Sequence, residues 1–304
     1  MKSGVVALVG RPNVGKSSFL NWVLNEEISI VTPKAQTTRD QVRGILTEER
    51  GQIVFVDTPG IHRAREGGIN EYMIQEVRRA LEGPDLILYL IDPMSKVEAE
   101  QKVVEFLKEA DSRLLVLVNK CDLRKKFPAK FDWLPAWVEE MGRTLAGSKC
   151  HLLGVREISA ERGTHIPELL DEVFSLLPSG PALFDDPDAL TDRSARFVVA
   201  ELIRKQLFLR LGDELPYSCA VEIESYRERE KPVRISAVIH VERESQKGMV
   251  IGAAGKKIKE IGTHARTEIE ALLQEKVFLE LRVKVLDSWT SQARKMKGLG
   301  YILE

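Results

Sequence analysis

Short apolar runs and segments of helical periodicity alternate along the first 178 residues of the chain. Each run is far shorter than a bilayer span and suits a strand buried on both faces of a parallel sheet. The predicted strands are Val5–Val9, Gln41–Glu48, Gln52–Val56, Leu86–Ile91, Leu114–Val118 and Cys150–Glu157. The predicted helices are Lys16–Leu24, Val97–Ala110, Asp132–Leu145 and Pro167–Leu177. Repeated strand–helix alternation predicts an α/β domain whose parallel-rich sheet is flanked by helices.

The pattern changes after residue 178. Residues 179–190 are rich in proline and aspartate, a composition typical of a linker. Residues 191–304 then predict an α+β domain. Its predicted elements are the helix Arg193–Leu211, the strands Cys219–Tyr226 and Val233–Val241, the glycine-containing helical stretch Gln246–Leu273 and the strand Val277–Leu286. We therefore predict two domains, 1–178 and 191–304, joined by the linker 179–190.

Composition suits a soluble two-domain protein. The chain has 304 residues, of which 43% are hydrophobic and 30% charged, and this argues against disorder. The net charge of −1 hides a mild excess of positive charge after residue 190, which alone does not establish nucleic-acid binding. The three cysteines form no CxxC pair, so we expect reduced thiols and no structural zinc. No secretory pattern opens the chain, and we expect a cytoplasmic protein.

A glycine-rich loop lies between the first predicted strand and the first predicted helix. Its spacing, Gly-x-x-x-x-Gly-Lys-Ser, is in this context typical of a phosphate-binding P-loop. Glycines let consecutive backbone N–H groups face a phosphate, and the helix N-terminus adds positive potential. Lys16 is expected to reach the β- and γ-phosphates, and Ser17 to offer its hydroxyl to Mg²⁺. The predicted nucleotide contacts are Gly10, Arg11, Pro12, Asn13, Val14, Gly15, Lys16 and Ser17.

A second polar turn follows the strand Gln52–Val56. An aspartate at this strand end can hold Mg²⁺, usually through water, and the Gly60 N–H can contact the γ-phosphate. The predicted contacts are Asp57, Thr58, Pro59, Gly60 and Ile61. The earlier polar loop 34–40 contains two threonines, and one hydroxyl could close over Mg²⁺ when the third phosphate is bound. The residues alone leave open whether Thr37 or Thr38 does so.

A base-binding segment, Asn119-Lys120-Cys121-Asp122, follows the strand Leu114–Val118. A carboxylate can accept hydrogen bonds from guanine N1–H and its 2-amino group, which adenine cannot offer. The Lys120 stem can lie across the base, and Asn119 can brace the loop. Ser159-Ala160, after the last strand of the domain, would supply a backbone N–H to the guanine oxygen. The sequence therefore predicts a preference for guanine.

A GxxG loop interrupts the helical stretch of the second domain. In KH domains such a loop brings backbone N–H groups close to phosphates and clamps about four nucleotides. Lysines surround the loop, and the order α–β–β–α–α–β around it suits a KH fold. The predicted RNA contacts are Lys247, Gly252, Ala253, Ala254, Gly255, Lys256, Lys257 and Lys259.

These segments, in this order, resemble the Era family of bacterial GTPases over nearly the whole chain. The specific parts are Gly10-Arg-Pro-Asn-Val-Gly-Lys-Ser17, Ala35-Gln-Thr-Thr-Arg39, Asp57-Thr-Pro-Gly-Ile61, Asn119-Lys-Cys-Asp122 and Met249-Val-Ile-Gly-Ala-Ala-Gly-Lys256. The resemblance implies a type II KH fold and a switch that hydrolyses GTP to GDP with Mg²⁺. It further implies binding to the 3′ end of 16S rRNA during assembly of the 30S ribosomal subunit, with nucleotide state coupled to RNA affinity. It selects Thr38 as the Mg²⁺ ligand beside Ser17 and Asp57.

Two positions bear on hydrolysis. Many GTPases carry a glutamine after the Asp-x-x-Gly turn to orient the attacking water, but here the residue is Ile61, so slow intrinsic turnover is expected. Asn13 matches an asparagine that, in related GTPases, helps hold K⁺ beside the phosphates, where it could offset developing charge. The predicted catalytic set is Lys16, Thr38, Gly60 and Asn13. Family members usually carry a polar residue inside GxxG, so the two alanines leave side-chain phosphate contacts to Lys256 and its neighbours.

Other readings are weaker. An ATP-using P-loop kinase would need an adenine site, against which the base-binding segment argues. A purely RNA-binding module would not need Lys16 and Ser17. No lipidation motif or spanning segment supports a membrane-linked signalling GTPase, although the sequence leaves peripheral association with the inner membrane open. We expect a monomer that does not bind DNA.

Overall fold

The computed structural model describes residues 1–62, 67–212 and 214–303, and these form two compact units. The first unit contains residues 1–31, 38–62 and 73–192. The second contains residues 32–37, 67–72, 193–212 and 214–303. No helix among these described ranges is long and apolar enough to cross a bilayer.

The first unit is built on one mixed sheet. Its strands are β1 (Lys2–Gly10), β2 (Val42–Glu48), β3 (Gly51–Asp57), β4 (Leu86–Ile91), β5 (Ser112–Val118) and β6 (Cys150–Glu157). Their order across the sheet is β2-β3-β1-β4-β5-β6. Only the β2–β3 pair is antiparallel within this order, and the other neighbours are parallel. The inner strands β3 and β4 are buried along their whole length, which explains their continuous apolar runs.

Helices cover both faces of this sheet. They are α1 (Lys16–Leu24), α2 (Gly68–Ala80, of which residues 73–80 belong to this unit), α3 (Gln101–Glu109), α4 (Leu134–Leu145) and α5 (Ile166–Leu176). Alternate side chains of β1, Ala7 and Val9, join a core with apolar residues of α2, α3 and α4. On α1, Phe19 packs edge-on against Phe55 of β3. This two-sided burial confirms the predicted α/β class.

The segment 179–190 runs along the edge of this sheet. The buried side chain of Gln52 accepts hydrogen bonds from the backbone N–H groups of Leu183 and Phe184, at 2.7 and 2.9 Å. The N–H of Ile45 donates to the carbonyl of Leu190 at 2.9 Å. A linker composition is therefore compatible here with an ordered path, and the predicted boundaries of the linker stay a prediction.

The second unit has its own sheet and core. Its elements are α6 (Ala195–Arg210), β7 (Ala220–Arg227), β8 (Val233–Val241), α7 (Glu244–Ile251), α8 (Lys256–Leu273), β9 (Val277–Val285) and α9 (Ala293–Gly298). Strand β8 is central, antiparallel to β7 and parallel to β9. Alternate residues of β8 (Ile235, Ala237 and Ile239) are buried against apolar residues of α6 and α8. The order α–β–β–α–α–β confirms the predicted KH domain.

Within the stretch Gln246–Leu273, the two helices of the predicted α–β–β–α–α–β order are separated at the GxxG loop, because the chain turns at Gly252 and again at Ala254, which has a left-handed φ of 49°. Two local features differ from the sequence-based prediction. Residues 97–110 begin as a 3₁₀ turn, Val97–Glu100, before α3. The helices α2 and α9 were not predicted. At six residues, α9 is too short to show a helical period.

Candidate functional site

The predicted P-loop joins the carboxyl end of β1 to the first residue of α1. Gly15, directly before the helix, has a left-handed φ of 102°. A Cβ at this position would lie 2.2 Å from Nδ2 of Asn119, so both backbone conformation and space require glycine. The loop therefore brings the phosphate-binding turn and the predicted base-binding segment into contact.

Lys16 is held inside this loop by backbone carbonyls of the loop itself. Its side chain is buried, and its ammonium donates to the carbonyls of Gly10 and Arg11 at 3.3 and 3.0 Å. Burial lowers the pKa of Lys16 from 10.5 to about 8, and the negative charges of Asp57 and Glu100 partly oppose this shift. A phosphate at the loop would supply the missing counter-charge.

The predicted metal ligands also lie together. Asp57, at the end of β3, is fully buried, and its Oδ2 accepts from Ser17 Oγ at 2.6 Å and from Ser29 Oγ at 2.8 Å. Ser17 Oγ is 3.2 Å from Thr38 Oγ1. The other carboxylate oxygen of Asp57, Oδ1, is buried and has no protein hydrogen-bond partner. Burial raises the pKa of Asp57, while the charge of Lys16 opposes that shift.

These groups fit Mg²⁺. Hydroxyl and carboxylate oxygens are the hard ligands it prefers, and it usually takes one or two carboxylates together with water and substrate phosphates. Within the described parts of the chain, no three His, Cys, Asp or Glu residues cluster as an all-protein metal cage would require. The buried Oδ1 of Asp57, which has no hydrogen-bond partner, is therefore the oxygen best placed to serve a Mg²⁺ ion.

The structure separates the two threonines that the residues alone left open. Thr37 is buried, and its hydroxyl bonds to Thr32 Oγ1 at 2.7 Å and to the carbonyl of Lys34 at 2.9 Å. Thr38 is the threonine whose hydroxyl approaches Ser17. The geometry therefore supports Thr38 as the candidate ligand.

The Asp-Thr-Pro-Gly turn is tied to the P-loop. Thr58 Oγ1 donates to the carbonyl of Leu8 at 2.7 Å, and the N–H of Ile61 donates to the carbonyl of Gly10 at 3.0 Å. A Cβ at Gly60 would meet the backbone nitrogen of Pro12 at 2.5 Å, so only glycine allows this approach. Ile61 itself is 5% exposed and belongs to the apolar core, so its side chain offers nothing to an attacking water.

Asn119 braces the base-binding segment. Its Nδ2 donates to the carbonyl of Val14 at 2.7 Å, and its Oδ1 accepts from the N–H of Ala160 at 2.8 Å. The N–H of Ser159 donates to the carbonyl of Thr164. Because both N–H groups of the predicted Ser159-Ala160 contact have protein acceptors, a guanine oxygen would have to share the Ala160 N–H with Asn119.

Two charged residues that contact the base-binding segment belong to none of the predicted sequence motifs. Asp92, directly after β4, accepts from Lys120 Nζ at 2.6 Å. Arg162, largely exposed, lies 3.6 Å from Oδ2 of Asp122. Asp92 follows a strand at the same edge of the sheet as the other site residues, and that position was the one available signal. Cys121 is held through its N–H, which donates to the carbonyl of Ile158 at 3.0 Å.

A buried polar triad under the P-loop was also missed. Glu100 is fully buried, its Oε2 accepts from the Tyr89 hydroxyl at 2.6 Å, and its Oε1 lies 3.5 Å from Arg11. Burial raises the pKa of Glu100, and the Tyr89 hydroxyl and Arg11 oppose the shift. The ion pair between Arg11 and Glu100 explains how the Arg11 side chain is oriented within the P-loop.

The candidate RNA loop lies between α7 and α8. Ala253 and Ala254 are exposed, and the left-handed φ of Ala254 turns the backbone N–H groups out of the helical path. Lys256 and Lys259 are exposed and have no ion-pair partner within the described residues. Lys257 pairs with Glu260 at 3.1 Å, and Lys247 lies 3.9 Å from Glu244. The two unpaired lysines therefore offer the most available positive charge.

Comparisons with known proteins agree with both units. A family described as 50S ribosome-binding GTPase matches residues 5–120, and the KH domain family matches residues 214–290. GTPase Era of Geobacter sp. (strain M21) is 43% identical over 307 residues, covering 99% of this chain and 98% of that protein. GTPase Era of Caldanaerobacter subterraneus subsp. tengcongensis is 40% identical over 306 residues, covering 100% of this chain and 99% of that protein.

Two solved Era structures match the whole chain. One is an Aquifex aeolicus Era variant bound to GDP and AlF4⁻, with 36% identity and a TM-score of 0.88, covering 100% of both chains. The other is an Era in complex with MgGDPNP and nucleotides 1506–1542 of 16S ribosomal RNA, with 34% identity, a TM-score of 0.89 and 100% of both chains covered. Shared length, identity and both domain families lead to one conclusion: the chain belongs to the Era family of GTPases.

Proposed function

We propose that the first unit binds GTP with Mg²⁺ and hydrolyses it at the site built by the P-loop, Asp57 and Thr38. The observation that carries this is the buried Oδ1 of Asp57, which lacks a partner beside the hydroxyl of Ser17. An unsatisfied buried carboxylate oxygen is costly, and a cation with its water shell removes that cost. Bound Mg²⁺ would neutralise charge on the β- and γ-phosphates.

The roles of the surrounding residues follow from their positions. Lys16 would exchange the carbonyls of Gly10 and Arg11 for phosphate oxygens. The N–H of Gly60 would reach the γ-phosphate, because its turn is fixed against the P-loop. Asp122 would read guanine and Lys120 would lie along the base, with Asp92 holding its ammonium.

Hydrolysis would depend on charge compensation more than on a side chain that orients water. Ile61 is packed into the core, so it cannot hydrogen-bond to the nucleophile. We propose that Asn13, exposed and in a left-handed conformation with φ of 61°, helps hold K⁺ beside the phosphates. A monovalent cation there would stabilise the transition-state charge that an arginine finger stabilises in other GTPases.

The second unit, we propose, binds the 3′ end of 16S rRNA and links GTP turnover to assembly of the 30S subunit. Support comes from the KH order of elements, the exposed Lys256 and Lys259, and the Era relative solved with 16S rRNA nucleotides 1506–1542. Nucleotide state and RNA affinity would then be linked thermodynamically, each changing the other by the same factor.

We also propose that the GTP-binding domain ends at residue 178 and the KH domain begins at residue 191. Residues 179–190 would link the two domains. Peripheral association with the inner membrane, which the sequence leaves open, stays a prediction.

The test measures binding of a single-stranded 16S 3′-end oligonucleotide by fluorescence anisotropy, with a GTP analogue, with GDP and without nucleotide. Lys256→Ala with Lys259→Ala should weaken RNA binding about tenfold or more and leave GTP turnover intact, because each lost phosphate contact removes counterion release. Lys130→Ala, in the first unit, is the matched control. RNA affinity equal in all three nucleotide states would contradict the coupling, and RNA affinity unchanged in the double variant would contradict the assigned RNA loop.

A further inference from the structure

Ser29 lies between the Mg²⁺-site aspartate and the first helix, and no motif predicted it. It is 2% exposed, and its Oγ donates to Oδ2 of Asp57 at 2.8 Å. Its main chain is held at both ends of the residue by one side chain on α1. Asn21 Oδ1 accepts from the N–H of Ser29 at 3.0 Å, and Asn21 Nδ2 donates to the carbonyl of Ser29 at 2.7 Å.

We propose that Ser29 is a positioning residue for the magnesium site, and that Asn21 clamps it there. The proposal rests on the assignment of Asp57 to Mg²⁺ made above. Ser29 is not a ligand in this scheme. It orients the carboxylate of Asp57 so that Oδ1 faces the cation.

The hydrogen bonds explain how this orientation is set. Oδ2 of Asp57 accepts from two hydroxyls, Ser17 and Ser29, which approach it from different elements. Two donors that approach one carboxylate oxygen from different elements restrict the torsion about its Cβ–Cγ bond more tightly than one donor does. Since both donors use Oδ2, the second oxygen stays available, and it is the buried atom without a protein partner.

The hydrogen bonds between Asn21 and Ser29 also connect the candidate metal site to α1. Ser17 and Asn21 are four residues apart on this helix and therefore project from the same face. One helix thus supplies a candidate ligand of the cation and the side chain that fixes Ser29. Ser29 begins the segment that leads to Thr38, so the clamp also holds the start of that segment while its later residues can change conformation on phosphate binding.

A structural role alone makes a different prediction. If Ser29 only filled the core, its removal would lower folding stability and weaken nucleotide binding equally with and without Mg²⁺. If it orients Asp57, its removal would raise the Mg²⁺ requirement and leave metal-free nucleotide binding unchanged. Residues that hold a metal ligand in place typically contribute ten- to a hundredfold to metal affinity when tested by mutation.

The experiment uses the full chain with fluorescently labelled GDP. Nucleotide dissociation is followed over a Mg²⁺ titration, and nucleotide affinity is measured separately in EDTA. Ser29→Ala should raise the half-maximal Mg²⁺ concentration about tenfold with little change in EDTA, and Ser29→Thr, which keeps the hydroxyl, should restore most of the loss. Asn21→Ala should shift the same quantity in the same direction, which keeps the test usable should Ser29→Ala fold poorly. Ser18→Ala, a neighbouring serine on α1, is the matched control.

The outcomes separate this inference from the function it rests on. Asp57→Asn should raise the Mg²⁺ requirement by more than either variant above. An unchanged requirement in Asp57→Asn overturns the metal assignment and the positioning role together. A raised requirement in Asp57→Asn with normal values in Ser29→Ala and Asn21→Ala overturns the positioning role alone.

Discussion

The side-chain amide of Asn119 donates a 2.7 Å hydrogen bond to the carbonyl of Val14, which lies 105 positions earlier in the chain. The same side chain accepts from the N–H of Ala160. One buried amide therefore connects the phosphate loop, the base-binding segment and the loop after β6. Because both its polar atoms are used, its removal would leave two buried backbone groups unsatisfied.

Asn119→Ala should therefore damage nucleotide binding and stability together. Orphaning the Val14 carbonyl and the Ala160 N–H should lower the free energy of unfolding by roughly 2–4 kcal/mol. GTP and GDP affinity should both fall at least tenfold, since the P-loop and the base-binding segment lose their connection. Urea denaturation and calorimetric titration give the two numbers. Gln101→Ala, an exposed amide at the start of α3, is the control, and normal affinity in Asn119→Ala would refute the bracing role.

Asp122→Asn should exchange guanine for xanthine preference. The amide reverses the donor and acceptor pattern that meets the N1–H and 2-amino group of guanine, whereas xanthine has an oxygen at that position. We expect GTP affinity to fall about ten- to a hundredfold, with a gain for XTP, because each unpaired polar group costs about 1–3 kcal/mol. Competition of GTP, XTP and ATP against a labelled nucleotide measures it. A variant that binds GTP as tightly as the parent would show that Asp122 does not read the base.

Nucleotide binding should take up a proton above pH 8. The pKa of Lys16 is lowered to about 8 by burial, and phosphate oxygens favour the charged form, so binding raises that pKa again. At pH 7 the ammonium is already protonated and uptake should be small. At pH 8.5, above that lowered pKa, a substantial fraction of a proton should be taken up per GDP.

Calorimetry in buffers of different ionisation enthalpy counts this proton. Lys16→Arg is the control, because a guanidinium stays protonated throughout this range. Affinity for GDP should also fall between pH 8 and 9 in the parent protein. The same linkage applies to folding: the lowered pKa means that the unfolded chain binds more protons between about pH 8 and 10.5, so the Lys16 contribution to stability rises with pH in that window. No proton uptake at pH 8.5 would contradict the lowered pKa of Lys16 in the free protein.

Hydrolysis should be faster in KCl than in NaCl at equal ionic strength. K⁺ held at Asn13 would stabilise transition-state charge, while Ile61 cannot assist the water. Asn13→Ala should remove the difference between the two salts, because the K⁺ site is lost, while GTP binding is measured separately. Equal rates of phosphate release in both salts, with GTP binding intact, would count against a bound K⁺.

Much of the fold followed from residue pattern. Apolar, β-rich runs predicted every strand of the first sheet, and their boundaries differ from the structure by three residues or fewer. The strands buried along their whole length, β3 and β4, leave a continuous apolar signal. The hydrophobic pattern predicted the amphipathic elements of the KH domain equally well. The helices α2 and α9 were not predicted, and α9, at six residues, is too short to show a helical period.

The residues of the candidate nucleotide site were also predictable from the sequence. The carboxyl ends of parallel strands meet at one edge of the sheet, so the polar motifs after β1, β3 and β5 were expected to lie together there. Packing between distant segments decides which polar atoms at that edge form hydrogen bonds and which have no partner. Thr38 approaching Ser17 and Lys120 donating to Asp92 are contacts between side chains, and Asn21 bonds through its side chain to the backbone of Ser29. No local sequence pattern relates the partners in these contacts. A hydrogen bond needs two groups within about 3 Å in a defined direction, and only the folded chain sets that distance.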